Sequence, residues 1–374
     1  MDVIHTDKKI ESLQVLRGIA FLGIFLSHAG IPFSWSNLSV SIFFVLSGFL
    51  LAYKYYDWNV KYSVLKRVRF SSRRIRKLYG LHIVTMLLTL VPFVFFGIEN
   101  TISIIIKTVL NVLLLQTWIP VIAINVSLNG VAWFLSVMAF QYFCFPDIAY
   151  WLKGFSSTKK LAAASVIVWV FMLLTALCFV GFYGIDGKFF KYLTKFCPLY
   201  RLGDFLIGCI WGRILHMNEK RHGRLNRIKA SVCECVLFAA AIGIVIIGKQ
   251  PHTNVIAKWI WNPTSIYLLF SVMLVAAFFL KGGVITDWLT RRRTLVYLGD
   301  ISGEMFLIHY VVLFYFQGIQ NRLLHDRVQL SVLSKTCTAI IELAVTVGCT
   351  WSWKFAVKWL KGRRKQSVSQ SVQS

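Results

Sequence analysis

The stretch LQVLRGIAFLGIFLSHAGI, residues 13–31, is an apolar run of 19 residues broken by one arginine, Arg17, and one histidine, His28. About 20 mostly apolar residues carry an α-helix across the roughly 30 Å hydrocarbon core of a bilayer. The run is too long and too polar for the apolar core of a secretory leader. No small-residue cleavage site follows it, so it reads as a retained membrane helix. Ten more runs of similar character lie at 38–53, 78–98, 102–119, 131–152, 161–183, 200–215, 231–248, 262–280, 301–317 and 331–353. In hydrocarbon the backbone must satisfy its own hydrogen bonds, which a helix does within a single segment. The chain is therefore expected to be an all-α, polytopic membrane helix bundle.

Composition agrees with that reading. Of 374 residues, 57% are hydrophobic and 15% charged, and the mean hydropathy is +0.65, a skew typical of membrane chains. The net charge is +26, from 41 Lys and Arg against 15 Asp and Glu. In a soluble protein this would suggest nucleic acid. Here the cations sit in short loops between apolar runs, the mark of cytoplasmic loops, and no nucleic-acid partner is expected. The eight cysteines lie nearly all inside apolar runs, where free Cys behaves as a small hydrophobe. Neither a disulfide framework nor a metal site is indicated.

Charge also orients the bundle. The stretch 54–77 carries Lys54, Lys61, Lys66, Arg67, Arg69, Arg73, Arg74, Arg76 and Lys77 against Asp57, which places it in the cytoplasm. The N-terminus, with Lys8 and Lys9, then lies there too. If 102–119 also crossed, Lys153, Lys159 and Lys160 would fall outside, with the basic loop 213–229 and the cluster 291–293. If it does not cross, all of these fall inside together with Lys358, Lys361, Arg363, Arg364 and Lys365. The segment also holds Lys107, Asn111 and Gln116, polar groups that a lipid-facing span buries at a cost of a few kcal/mol for the Lys alone. About ten transmembrane helices with both termini cytoplasmic is the expected topology, with 102–119 interfacial, re-entrant or packed on the outer side. Residues 1–361 form one transmembrane domain. The polar tail 362–374 is expected to be disordered.

An ionisable residue inside a span is a functional hypothesis by default. Arg17 and His28 are 11 residues apart, which returns them to nearly the same helix face with a rise of about 16 Å. One face thus presents a cation near the cytoplasm and an imidazole in the outer half. An equally economical reading has Arg17 snorkelling to the inner interface and His28 satisfied within the bundle. Imidazole is the natural general base near neutral pH, able to deprotonate a hydroxyl attacking a thioester or to accept an acyl group itself. Arg73 and Arg76, three apart, suit phosphate, or lipid headgroups as topology anchors. Trp133 and Ser136 open one run, Arg201 and Asp204 another, and Glu304 and His309 lie in a third. Glu304 falls near the cytoplasmic end, where it would pair with Arg17 or orient an imidazole. Ser47-Gly48 would let helices approach closely.

Taken in order, these elements resemble the acyltransferase-3 family of membrane acyltransferases. Leu13-Gln14-Val15-Leu16-Arg17-Gly18 through His28 resembles its opening helix. Residues 41–49, SIFFVLSGF, are similar to its second-helix signature, and Arg73-Arg74-Ile75-Arg76 to its R-x-x-R element. Residues 133–137, 201–208 and 306–310 look like its later landmarks. The resemblance implies transfer of an acyl group, usually acetyl, from cytoplasmic acyl-CoA to a hydroxyl of a surface or secreted glycan or a lipid-linked sugar, in the bacterial cytoplasmic (inner) membrane. It implies His28 as base or acyl relay with Arg17 its companion, Arg73 and Arg76 at the CoA phosphates, and Trp133, Ser136, Arg201 and His309 in support. No permanently bound cofactor is implied, acetyl-CoA being the donor substrate. Many relatives carry Glu where this chain has Met138 and Ala139, and Glu304 stands as a substitute carboxylate. No C-terminal hydrolase-like domain is seen, so the bundle or a separate periplasmic or extracellular partner completes the transfer. The competing class is a multispan transporter or flippase of a lipid-linked or small polar substrate. A missing inverted repeat counts against it.

Overall fold

A computed structural model describes residues 9–32, 35–95, 99–219, 226–248, 255–262, 264–324 and 332–373. Lys8, Lys220, Arg221 and Arg224, which the charge argument uses, lie outside them. The elements are α1 (Glu11–His28), α2 (Ser36–Lys54), α3 (Val64–Phe95), α4 (Thr101–Val112), α5 (Ile122–Asn125), α6 (Trp133–Lys153), α7 (Thr158–Tyr183) and α8 (Lys188–Lys195). There follow α9 (Pro198–Glu219), α10 (Arg227–Ile247), α11 (Val255–Ile260), α12 (Ile266–Leu280), α13 (Val284–Thr290), α14 (Arg293–Leu324) and α15 (Val332–Gln373). Among the described residues there is no strand. The chain is an all-α, multi-pass membrane protein.

Among the described residues six helices are long and apolar enough to cross a bilayer: α2, α3, α7, α10, α14 and α15. A seventh is gained if α12 and α13, bent by 72° at their junction, count as one span. The ten-span reading additionally needs α1, α6 and α9. These are 18, 21 and 22 residues long but carry the polar residues singled out above. Helix α4, at 12 residues, rises only about 18 Å and is too short to cross. Its last turn is tied to α3, where the Tyr79 hydroxyl donates to Val112 O at 2.8 Å and His82 Nε2 to Asn111 O at 3.0 Å. The chain then turns back through Leu114 and Leu128, both in the left-handed region at φ 55° and 58°. Segment 113–132 is thus a dipping segment held by amides. Asn125 Nδ2 donates to Gln116 O and Ile119 O, Gln116 Nε2 to Ala132 O, and Asn111 Nδ2 to Ser127 Oγ.

Two close helix pairs build the core. Helices α2 and α9 cross where Gly48 faces the backbone of Phe205 and Cys209, and Gly208 and Gly212 face that of Val45 and Phe49. No side chain fits at these contacts, and small residues are what let two membrane helices approach so closely. Helices α1 and α14 run parallel and cross at Gly18, whose Cβ would stand 3.1 Å from Gly299 N and Leu295 O. Their N-terminal ends are joined by ion pairs of Lys9 with Asp300 and Arg293 with Glu11. Phe21, Phe25, Phe43, Phe44, Phe134 and Phe306 fill the space between these helices and α6.

The bend between α12 and α13 is made by Glu234, which reaches across from α10. Its carboxylate accepts from Gly283 N at 3.0 Å, Ile285 N at 3.0 Å, Thr286 N at 3.2 Å and the Thr286 hydroxyl at 2.5 Å. That satisfies the orphan N–H groups at the start of α13.

Helix α15 runs on through residues 362–373. Extending an existing helix fixes one residue per hydrogen bond gained, and residues such as Lys, Arg and Gln resist that little.

Candidate active site

His28 is the last residue of α1 and His309 lies midway along the parallel α14, so the helix crossing brings the two imidazoles together. His28 Nδ1 stands 2.9 Å from His309 Nε2, with ring centroids 5.2 Å apart and planes within 6°. His309 is fully buried, walled by Phe21, Phe25 and Phe306 at 5.7, 6.2 and 5.8 Å. His28 is exposed on its outer side, where Gly30 (φ 71°) turns the chain away. His28 thus sits at the C-terminal end of α1, with one side on His309 and the other open.

Hydrogen bonding fixes the tautomers of the neutral pair. His309 Nδ1 lies 3.2 Å from Met305 O. A carbonyl only accepts, so that nitrogen carries the proton and Nε2 of His309 is the acceptor. Nδ1–H of His28 then donates to it, leaving Nε2 of His28 with its lone pair free. Among the described residues that nitrogen has no partner. A chain of this form holds a general base by its second nitrogen, as triads do.

Other residues close around the pair. Tyr310 meets His28 edge-on at 6.2 Å, and its hydroxyl bonds to none of the described residues. The ring fits because position 130 is glycine, where a Cβ would fall 2.5 Å from the Tyr310 Cζ and hydroxyl. Next to it Asn129 Nδ2 donates to Leu307 O and to Thr85 Oγ1, both at 3.0 Å, joining α14, α3 and the dipping segment.

Arg17 lies three turns nearer the N-terminus of the same helix. A Cβ on Gly303 would stand 3.8 Å from its Nη2, and Glu304, Asp300 and Tyr142 are its charged or ionisable neighbours. Neither Arg17 nor the buried Glu304 has a hydrogen bond or ion pair to a described residue, so the direct pairing considered for them is not formed. The two groups interact electrostatically without a direct contact.

Arg201 and Asp204 are fully buried and form an ion pair at 2.8 Å. The guanidinium lies over Phe44, 4.7 Å from the ring centre, and Nη1 donates to Thr194 O at 3.3 Å. Trp133 packs against Phe44 and Phe196 beside it. Phe44, Phe134 and Phe306 then form a row of rings leading to His309. Ser136 stands apart from the histidines. Its hydroxyl is bound to Leu114 O at 2.5 Å and to Thr117 at 2.6 Å, holding the dipping segment.

Arg73 and Arg76 are exposed, with Arg76 at the rim of a groove of about 520 Å³ between α3, α6 and residues 113–118. Between them Arg74 turns inward. It belongs to the face Ser71, Arg74, Ile75, Leu78, Leu81 and His82, which follows helical spacing. Extending that spacing back from the apolar run would have marked Arg74 in the sequence.

Residues 10–352 match the family described as an acyltransferase domain, acyltransferase-3. The chain belongs to the acyltransferase-3 family. It is similar to Acyltransferase MdmB of Streptomyces mycarofaciens, 28% identical over 365 residues that cover 91% of this chain and 88% of the relative. No solved structure matches the chain. The protein is a membrane acyltransferase. Among the described residues, no group of three His, Cys, Asp or Glu is placed to hold a metal ion.

Proposed function

We propose that this acyltransferase moves an acetyl group from cytoplasmic acetyl-CoA to a hydroxyl of a surface or secreted polysaccharide or its lipid-linked precursor, in the bacterial inner membrane. The observation that carries the reading is the Met305–His309–His28 hydrogen-bond chain. It leaves a lone pair on His28 Nε2 at the open, outer end of α1, above the unpaired Arg17. In the proposed step Nε2 takes the proton of the acceptor hydroxyl as its oxygen attacks the thioester carbonyl. The C–S bond breaks, and the imidazolium returns the proton to the departing thiolate, giving ester and free CoA. Oxygen attack is accelerated because the base is oriented before the reaction begins. The donor enters from the basic cytoplasmic face, with Arg73 and Arg76 attracting it at the surface and Arg17 meeting it within the bundle.

The test is His28→Ala in membranes supplied with radiolabelled acetyl-CoA and the native glycan. Loss of glycan label with normal insertion is expected. Full retention of label refutes the role of His28. Uptake of substrate by vesicles lacking acyl-CoA would instead favour a transporter.

A further inference from the structure

Four helix ends enclose a pocket of about 240 Å³ that begins one residue from His28. The last turn of α1 contributes Ser27, the start of α2 Trp35 and Asn37, the end of α10 Gly248, and the start of α12 Tyr267. Helix α2 starts at this end of the bundle and leads into the basic 54–77 stretch at the other.

Two glycines make room for its aromatic walls. A Cβ at Gly23 would fall 2.3 Å from Cδ1 and Nε1 of Trp35, and one at Gly248 2.1 Å from the Tyr267 hydroxyl. The Trp35 Nε1 donates to Ile19 O at 3.2 Å, which fixes that ring. Tyr267 is buried, and the Asn37 side chain lies against its hydroxyl. Both rings are therefore set before any ligand arrives, which lowers the ordering cost of binding.

The polar groups around the rings are under-used. An amide offers two N–H donors and two acceptor lone pairs, and a hydroxyl one donor and two acceptors. Apart from the Tyr267 contact, the Asn37 amide and the Ser27 and Ser36 hydroxyls form no hydrogen bond among the described residues. None of the described residues lining the pocket carries a charge, so a phosphate or carboxylate finds no counter-ion there. A neutral ligand with an apolar face for the rings and hydroxyls on its rim does fit, and that is the chemistry of a pyranose. The volume lies below the roughly 300–1,000 Å³ of pockets for drug-sized ligands, which suits one ring rather than a chain. Consecutive side chains leave a helix about 100° apart. His28 faces His309 on α14, whereas Ser27 lines the side toward α2, α10 and α12. A ring held in the pocket thus lies beside the His28 imidazole and not over it.

We infer that this pocket is the subsite for the sugar unit next to the one that is acylated. It seats one neutral ring against Trp35 and Tyr267, with hydroxyls on Asn37, Ser27 and Ser36, and so delivers the linked ring to His28 Nε2. This rests on the proposed glycan acceptor, which is then recognised as at least two linked units.

The experiment uses the full-length protein in neutral-lipid nanodiscs with saturating acetyl-CoA. The probes are the intact native glycan and its one-, two- and three-unit fragments, and acetylation of each is measured. In wild type kcat/KM should be about tenfold or more higher for the two-unit than for the one-unit fragment, from the added hydrogen bonds and ring contact. Asn37→Ala should lower that two-to-one ratio by about 2- to 10-fold, the effect of one neutral hydrogen bond. Ser27→Leu, which fills the pocket, should bring the ratio close to unity. Monodisperse elution and an unchanged KM for acetyl-CoA establish that a variant is folded, and the milder Asn37→Ala decides where Ser27→Leu fails that check. A ratio near unity in wild type, or one that the folded variants leave unaltered, overturns the inference and keeps the glycan reading. Equal losses on one- and two-unit fragments assign these residues a structural role and also overturn it. Absence of acetylation of every glycan probe by wild type overturns both.

Discussion

Removing the Glu234 carboxylate tests whether one side chain sets the bend between α12 and α13. Glu234→Ala strips the acceptor from three backbone N–H groups and one hydroxyl, all now bonded at 2.5–3.2 Å. The Thr286 hydroxyl can rotate to another partner, but the N–H groups cannot. Each buried donor left alone costs about 1–3 kcal/mol. Val284 and Lys281 alongside are exposed, so water reaches part of the gap and the low end of that range applies, for a total of about 3–4 kcal/mol. Glu234→Gln keeps one oxygen. It leaves one N–H facing an amide NH2 and removes the negative charge at the start of α13, which together cost about 2 kcal/mol. The assay is reversible unfolding in mixed dodecyl maltoside and SDS, followed by tryptophan fluorescence. Stability should fall in the order wild type, Glu234→Gln, Glu234→Ala. An Ala variant within 1 kcal/mol of wild type, or a Gln variant no better than Ala, would refute the reasoning.

Four other outcomes follow from the same geometry. His309→Leu should lower acetyl transfer by roughly 10- to 100-fold through loss of one orienting hydrogen bond. His309→Gln, whose oxygen can accept from His28, should recover part of it; equal rates in the two variants would exclude an orienting role. Arg201→Met or Asp204→Leu alone should destabilise the protein by about 3–5 kcal/mol by stranding a buried charge, while the double replacement recovers most of that, as the same unfolding titration reads out. Gly208→Val should prevent assembly of α2 with α9, seen as aggregation on size exclusion. Gly130→Ala should displace the Tyr310 ring toward His28 and change acceptor KM more than protein stability, measured with acceptor varied at saturating donor.

The helices were readable because apolar length is written locally. Each of the eleven runs contains a helix, but in 102–119 the helix ends at Val112 and the chain turns back, as the polar residues there anticipate. Helices α8, α11 and α13 were missed because 6 to 8 residues leave no periodic signal. Ser47-Gly48 announced a close approach, although its partner α9 could not be read from local pattern. The site was less legible. Arg17 and His28 stand out as polar residues in one run, but no periodicity reveals that His28 meets His309. The R-x-x-R spacing drew attention to Arg73 and Arg76, while the helical face that decides which arginine points inward selects Arg74. Glu304 was expected to find a partner, and it has none among the described residues because Arg17 stands off from it.

The histidine contact joins residues separated by 281 positions. At about 5–20 residues per second of synthesis, α1 enters the membrane roughly 15–55 s before α14 exists to receive it. Throughout that interval the cationic Arg17 face has α2 as its neighbour, and the groove for α14 stands open. A nascent chain that ends before α14 therefore holds a first helix whose Gly18 face is uncovered. Closure of α14 onto α1 at Gly18 and Gly299 is thus the event that covers this face, with α15 still to follow.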